Sequence, residues 1–234
     1  MIRLHEINSR WWGEPAGIVD DAGFFALPDH EREQALAPYG WVEFKSGFAA
    51  APPLPALARA GFFLVDVQIA FRIALKPGGD SGCGDALTVS FADEPGFAYS
   101  GDDLAPFEHE RYIHLPGQTQ DRLNARYADW GRQLIRNHPG SCLAILADGE
   151  VQGWFLSQPS AAGLNLTLAA ARRQARISGF LLYEKGLAAY AARGHRIGFA
   201  SFSVMNTPVH NIYAKLGARF TPPTAIWLWV AGGA

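Results

Sequence analysis

The stretch Val204–Phe220, VMNTPVHNIYAKLGARF, decides how this chain is read. Asn206 is a favoured helix N-cap, Pro208 suits the first helical turn, and Gly217 is a glycine stop. The strand-like HRIGFASFSV precedes this short helix and the apolar AIWLWV follows it. Helix building accounts for every marked residue except Tyr213, whose phenol is either a buried core ring or a proton donor.

One step upstream, RISGFLLYEKGLAAYAARG predicts a helix that begins near Ile177 or Ser178. It would carry Phe180, Tyr183, Leu187 and Tyr190 on one face and close at Gly194. The strand before it, GLNLTLAAA, runs out through Ala169–Ala171 into a turn holding Arg172, Arg173 and Arg176. A helix start leaves backbone N–H groups unpaired and favours an anion, so a pyrophosphate suits this turn. The alternative is an ordinary basic loop in which Ser178 only caps the helix.

Further upstream, SCLAILADGEVQGWFLSQ predicts two antiparallel strands joined through Asp148-Gly149, a dipeptide suited to a tight hairpin. TQDRLNARYADWGRQLIRN predicts a helix capped by Thr119, with Leu123, Tyr127, Trp130 and Leu134 at helical spacing. DALTVSFADE is strand-like, and GDDLAPFEHERYIHLPG is a loop with one helical turn.

In the first third, AGFFALP, GWVEF and GFFLVDVQIAFRIAL predict strands, with HEREQALAPYG and LPALARAG as short helical pieces between them. The last strand sets Leu64, Val65, Val67, Ile69, Phe71 and Ile73 against Asp66, Gln68 and Arg72. Lys76 to Asp85, KPGGDSGCGD, is too rich in glycine and turn formers for helix or strand and marks a boundary. The class is α/β, with a mixed sheet.

The totals narrow the function classes. A chain of 234 residues with 49% hydrophobic residues can bury a sizeable core, which excludes a disordered protein. A formal net charge of -2 gives no global pull toward nucleic acid or anionic lipid, so an anionic ligand must be held locally. Cys83 and Cys142 form no CxxC or His-Cys cluster and read as reduced, buried thiols. MIRLHEINSRWWGEP lacks a signal-peptide core and no apolar run approaches the roughly 20 residues of a membrane span, so a cytoplasmic protein is expected.

From about Asp85 to Val230 the order of elements resembles the GNAT superfamily of N-acetyltransferases. Gln174-Ala175-Arg176-Ile177-Ser178-Gly179 is similar to that family's Gln/Arg-x-x-Gly-x-Gly/Ala turn, with Ile177 where glycine is usual. Asn206-x-x-Val209-x-x-x-Tyr213-x-x-x-Gly217 resembles its second motif, with Phe220 following after two residues. GFFLVDVQIAFRIAL and ERYIHLPGQTQDRLNARYADWGRQL resemble members that carry a smaller N-terminal α/β part ahead of the core.

The resemblance implies a GNAT acyltransferase domain over 85–234 behind an N-terminal part over 1–76. It implies acetyl-CoA as co-substrate, no metal, and direct attack by the amine of a small molecule, such as an amino-sugar nucleotide. Tyr213 would protonate the departing thiolate, since an ordinary phenol of pKa about 10 is protonated at neutral pH. The backbone of Leu168, Ala169 and Ala170 would pair with the pantetheine arm. Gln174, Ala175, Arg176, Ile177, Ser178 and Gly179 would hold the pyrophosphate, Asn206 would reach the pantetheine, and Arg219 would meet a phosphate. The branched Ile177 in place of glycine argues for a second possibility, a CoA-binding or regulatory module with weak or no catalysis.

The general base is not readable: Glu108, His109, Glu110 and His114 crowd one loop, and a water relay would remove the need for one. Expected partners are the amine acceptor and, at most, a second copy in a homodimer, with neither nucleic acid nor membrane among them. A third possibility is an interaction protein presenting Trp11, Trp12, Trp227 and Trp229 as an exposed patch.

Overall fold

The computed structural model describes residues 1–77 and 87–233; Cys83 and most of the Lys76–Asp85 boundary lie outside the described residues. The first part carries β1 (Ile2–Leu4), α1 (Glu6–Trp12), β2 (Ala16–Val19), α2 (Asp29–Leu36), β3 (Trp41–Gly47), α3 (Leu54–Arg59) and β4 (Phe63–Ala74). The second carries β5 (Leu87–Phe91), α4 (Gln120–Asn137), β6 (Cys142–Ala147), β7 (Glu150–Ser160), β8 (Gly163–Ala171), α5 (Gly179–Ala192), β9 (Ile197–Ser203), α6 (Thr207–Lys215), β10 (Arg219–Phe220) and β11 (Thr224–Val230).

Strands from both parts form one mixed sheet in the order β1-β2-β3-β11-β4-β9-β8-β7-β6-β5, with β10 beside β4. The pairs β2/β3 and β8/β9 are parallel and the rest antiparallel. β11, from the end of the chain, is hydrogen-bonded to β3 on one side and β4 on the other.

Local chemistry explains the element boundaries. Thr119 accepts from the Arg122 amide at 3.3 Å and caps α4; Ser178 and Asn206 do the same for α5 and α6. Asp148 (φ 50°) and Gly149 (φ 80°) make the β6–β7 hairpin turn, two positive φ angles that match the twist of the flanking strands.

Alternation divides the core between the two faces of the sheet. Ile145, Phe155, Leu164 and Leu166 meet Leu182, Tyr183, Leu187 and Tyr190 of α5 and Tyr213 of α6. Ala144, Trp154, Leu156, Leu168 and Ala170 on the opposite face meet Ala128 and Leu134 of α4. The buried face of α4 is Leu123, Ala128, Gly131 and Leu134, with Tyr127 and Trp130 only half-buried at its edge. On α5, Phe180 lies outside the buried stripe and carries the Lys215 ammonium 4.2 Å above its ring.

AGFFALP departs from the strand that its apolar residues predict: Ala22–Ala26 is a 3₁₀ turn, opened by the Asp21 carboxylate accepting from the Gly23 amide. Phe24 and Phe25 both bury in one cluster, which neighbouring residues of a strand, pointing to opposite faces, could not do. The exposed tryptophan patch is also corrected. Trp12 and Trp227 are buried, Trp11 and Trp229 half-buried, and the apolar surface of both chain ends is spent in two cores. Cys142 is buried, and burial pushes its thiol up to about 12, so it is inert at neutral pH.

Candidate active site

β8 and β9 start as parallel neighbours at Leu164↔Gly198 and Asn165↔Phe199, and then diverge. Beyond this point β8 still pairs with β7 through Leu168↔Leu156, Ala169↔Phe155 and Ala170↔Trp154, while among the described residues no strand lies beside its other edge. A wedge-shaped gap therefore opens between the C-terminal halves of the two strands. Main-chain groups of Leu168, Ala169 and Ala170 border it.

The turn after β8 is held from below. The Arg172 amide donates to the Gln152 carbonyl and the Arg173 amide to the Asp103 carbonyl, while the Gln152 side-chain oxygen accepts from the Arg176 amide at 2.7 Å. Gln152 is 2% exposed and also donates to the Glu150 carbonyl. The amides of Ile177, Ser178, Gly179 and Phe180 donate to no protein acceptor among the described residues, which leaves an anion-attracting helix start. Ile177 packs its side chain on the core formed with α5 and α6, so the bulk it adds lies on the core side of the turn.

The charge at this turn is lower than a count of arginines suggests. Arg172 lies 3.8 Å from Asp103 and 3.9 Å from Glu150, and Arg176 is 3.4 Å from Glu150. Arg173 is exposed and makes no ion pair among the described residues. Gln174 sits exposed at the outer corner between them, and Ala175 closes the turn by donating to the Arg172 carbonyl.

On the other side of the gap, Asn206 comes after β9 and the intervening Val204 and Met205, and its side chain accepts from the Val209 amide at 3.3 Å. Tyr213, on the same helix, is 3% exposed. Its ring lies 4.0 Å from Phe71, 5.1 Å from Tyr183 and 6.0 Å from Phe202. Burial, with Tyr183 and Tyr190 nearby, pushes its phenol well above the ordinary 10, so it keeps its proton. Arg219 opens β10, in register with Arg72 of β4, so β4 and β9 separate its strand from β8.

A cleft of about 350 Å³ lies at the end of β9. It is lined by Leu64–Val67 of β4, residues 108–111 with Ile113 and His114, and Ser203–Met205. All four loop residues left open as bases, Glu108, His109, Glu110 and His114, line it. Glu110 is buried and engaged: its carboxylate accepts from the Tyr127 hydroxyl and the Tyr112 amide. Glu108, His109 and His114 are exposed.

Two residues here escape sequence reasoning. Val65 has no register partner on β11, and around this bulge Leu64, Val65, Asp66 and Val67 all line the cleft. Asp66 is 9% exposed, lines the cleft, and has no side-chain hydrogen bond or ion pair among the described residues. The other is Gln152; the only sign of either is a polar residue inside an apolar strand.

A gap between diverging parallel strands, with an anion-attracting helix start at one side and a capped helix at the other, defines the class: a GNAT N-acetyltransferase fold. The chain has that fold across nearly its whole length. It is similar to a GCN5-related N-acetyltransferase from Sphaerobacter thermophilus, with a TM-score of 0.59 and 16% identity over 98% of this chain and 76% of the other. It is also similar to a tandem GNAT protein from the clavulanic acid biosynthesis pathway, with a TM-score of 0.54 and 15% identity over 95% of this chain and 77% of the other. In sequence it resembles the dTDP-fucosamine acetyltransferase of Escherichia coli O6:H1, 27% identical over 198 residues, which are 83% of this chain and 84% of that protein. No protein-family model matches the chain.

Proposed function

We propose that this chain is an acetyl-CoA-dependent N-acetyltransferase that moves an acetyl group to the amine of a small molecule. The observation that carries the reading is the opening between β8 and β9, beside a helix start where the amides of residues 177–180 donate to no acceptor among the described residues. In this reading the free edge of Leu168–Ala170 takes the pantetheine arm as an added strand and polarises the acetyl carbonyl. Residues 174–179 take the pyrophosphate, and Asn206 meets the arm while capping α6. Arg219 remains the proposed contact to an outer phosphate.

The acceptor nitrogen bonds to the thioester carbon and the C–S bond breaks. The amine loses one proton to solvent, and the Tyr213 phenol donates one to the leaving thiolate and is then reprotonated from solvent. Positioning supplies the remainder, since no covalent enzyme intermediate is required. Residues 1–76 serve in this proposal as the N-terminal part that completes the acceptor side, with 85–234 as the transferase domain. An amino sugar carried on a nucleotide, as the name of the Escherichia coli relative implies for that protein, is one acceptor to test.

Tyr213→Phe is expected to lower kcat by roughly two to four orders of magnitude while leaving acetyl-CoA affinity within about twofold. Unchanged turnover would remove Tyr213 from the acid role. The ion pairing of Arg172 and Arg176 with Asp103 and Glu150 favours a second reading, a GNAT-fold module that binds CoA weakly and does not turn over. Calorimetric titration of acetyl-CoA separates the two, because absent binding at high micromolar concentration is incompatible with the enzyme.

A further inference from the structure

The cleft beside β9 has a chemical character of its own. Four of the ten exposed large hydrophobic residues among the described residues line it: Leu64, Ile113, Val204 and Met205, the last 68% exposed. They come from β4, from the loop before α4 and from the segment after β9, so only the fold brings them together. Beside them stands Asp66, a residue 9% exposed whose carboxylate has no hydrogen-bond or ion-pair partner among the described residues. A carboxylate that lines a cleft without a counter-charge is placed to take a charge-assisted hydrogen bond from a cation that arrives from outside.

The same lining is poorly suited to an anion. Among the described residues the one Lys or Arg side chain in it is Arg111, and that guanidinium is taken. Its Nε donates to Glu43 at 2.7 Å, its Nη2 to the Tyr112 hydroxyl at 2.9 Å, and its plane lies 4.4 Å from the Tyr112 ring. Glu108 and Glu110 add negative charge, and His109 and His114 stand at the rim. A diphosphate would enter a cleft that offers no free cation, and its volume is at the small end of ligand sites.

We infer that the acceptor is a small amphipathic primary amine, its ammonium held by Asp66 and its apolar body laid on Leu64, Ile113, Val204 and Met205, rather than a nucleotide-linked sugar. This inference rests on the acyl-transfer reading, which supplies the reaction. Asp66 acts as a binding residue: it holds the cationic form, which gives one proton to water before the neutral nitrogen attacks the thioester.

The experiment is calorimetry on the full chain with 2-phenylethylamine, with 2-phenylethanol as the uncharged ligand of the same shape, and with thymidine diphosphate. The amine is expected to bind at least about tenfold more tightly than the alcohol, the scale of one charge-assisted hydrogen bond. Asp66→Asn is expected to abolish that preference while acetyl-CoA affinity holds. Met205→Ser, at an exposed position that does not threaten folding, should weaken amine and alcohol alike by about threefold. Equal binding of amine and alcohol overturns the inference, as does a folded Asp66→Asn chain that keeps the preference, or tighter binding of thymidine diphosphate than of the amine. Should Asp66→Asn not fold, the wild-type preference together with Met205→Ser decides. Titration of acetyl-CoA is scored separately. Loss of acetyl-CoA binding with the amine preference intact defeats the acyl-transfer reading alone, and acetyl-CoA binding without an amine preference defeats the cleft inference alone.

Discussion

Gln152 shows how one buried polar side chain can shape a binding turn. Its oxygen takes the Arg176 amide and its backbone carbonyl takes the Arg172 amide, so it fixes both ends of the segment leading into α5. Gln152→Ala leaves the Arg176 amide without its acceptor and is expected to cost about 1–3 kcal/mol of stability. Released from its support, the turn should also lose acetyl-CoA affinity by about tenfold with kcat less affected, which a KM-against-kcat comparison would read. Equal acetyl-CoA affinity in variant and wild type would make Gln152 a purely structural residue. Asn206 and Tyr213 were legible because cap, proline and glycine fix their positions on one short helix. Gln152 and Asp66 were not, because each matters only through residues distant in sequence that the sheet brings alongside.

Among the elements, α5 joins the core to the turn proposed to hold the pyrophosphate. It lies close to the sheet at Gly186, where an added Cβ would sit 2.8 Å from two ring carbons of Phe155. Gly186→Ala is expected to destabilise by about 1–3 kcal/mol through overpacking and to displace the start of α5. Thermal melting should report the first effect and weaker acetyl-CoA binding the second; a variant as stable as wild type would show that the interface yields easily. The elements near α5 could be read because caps and the Asp148-Gly149 turn state their own boundaries. The first third resisted: β1 and β2 are only three and four residues long, too short for a periodicity to declare itself. AGFFALP misled because composition speaks for a strand while Asp21 builds a turn. The side chain of Glu43, inside the apolar strand GWVEF, is 1% exposed, and its partners Arg111 and Tyr112 come from a segment distant in sequence.

At the scale of the molecule, that glutamate ties the N-terminal strands to the cleft loop. Its carboxylate receives the Arg111 guanidinium at 2.7 Å, the Lys45 ammonium at 3.2 Å and the Tyr112 hydroxyl at 3.3 Å, and Tyr112 in turn receives Asn8 of α1. Burial alone would raise the Glu43 carboxyl, but Arg111 and Lys45 outweigh it and hold it below its ordinary 4.5. A folded-state value lower than the unfolded one means that this stabilisation is present above about pH 4.5 and is lost as pH falls through the folded value. Melting temperature should therefore drop more steeply below pH 4.5 in the wild type than in Glu43→Ala. At neutral pH, Glu43→Ala should cost about 3–5 kcal/mol, because Arg111 keeps its charge in a buried place without a counter-ion. A flat acid limb in the wild type would remove Glu43 from this role.

The place of β11 between β3 and β4 sets a schedule for assembly. Until the last strand of the chain exists, β3 and β4 lack their shared neighbour, and each presents a bare edge of backbone donors and acceptors. The strands 1–77 contribute can thus be synthesised long before they can be joined to the strands that follow. Contacts between the far ends of a chain close slowly, so the emerging N-terminal strands carry the risk of pairing with other chains while they wait.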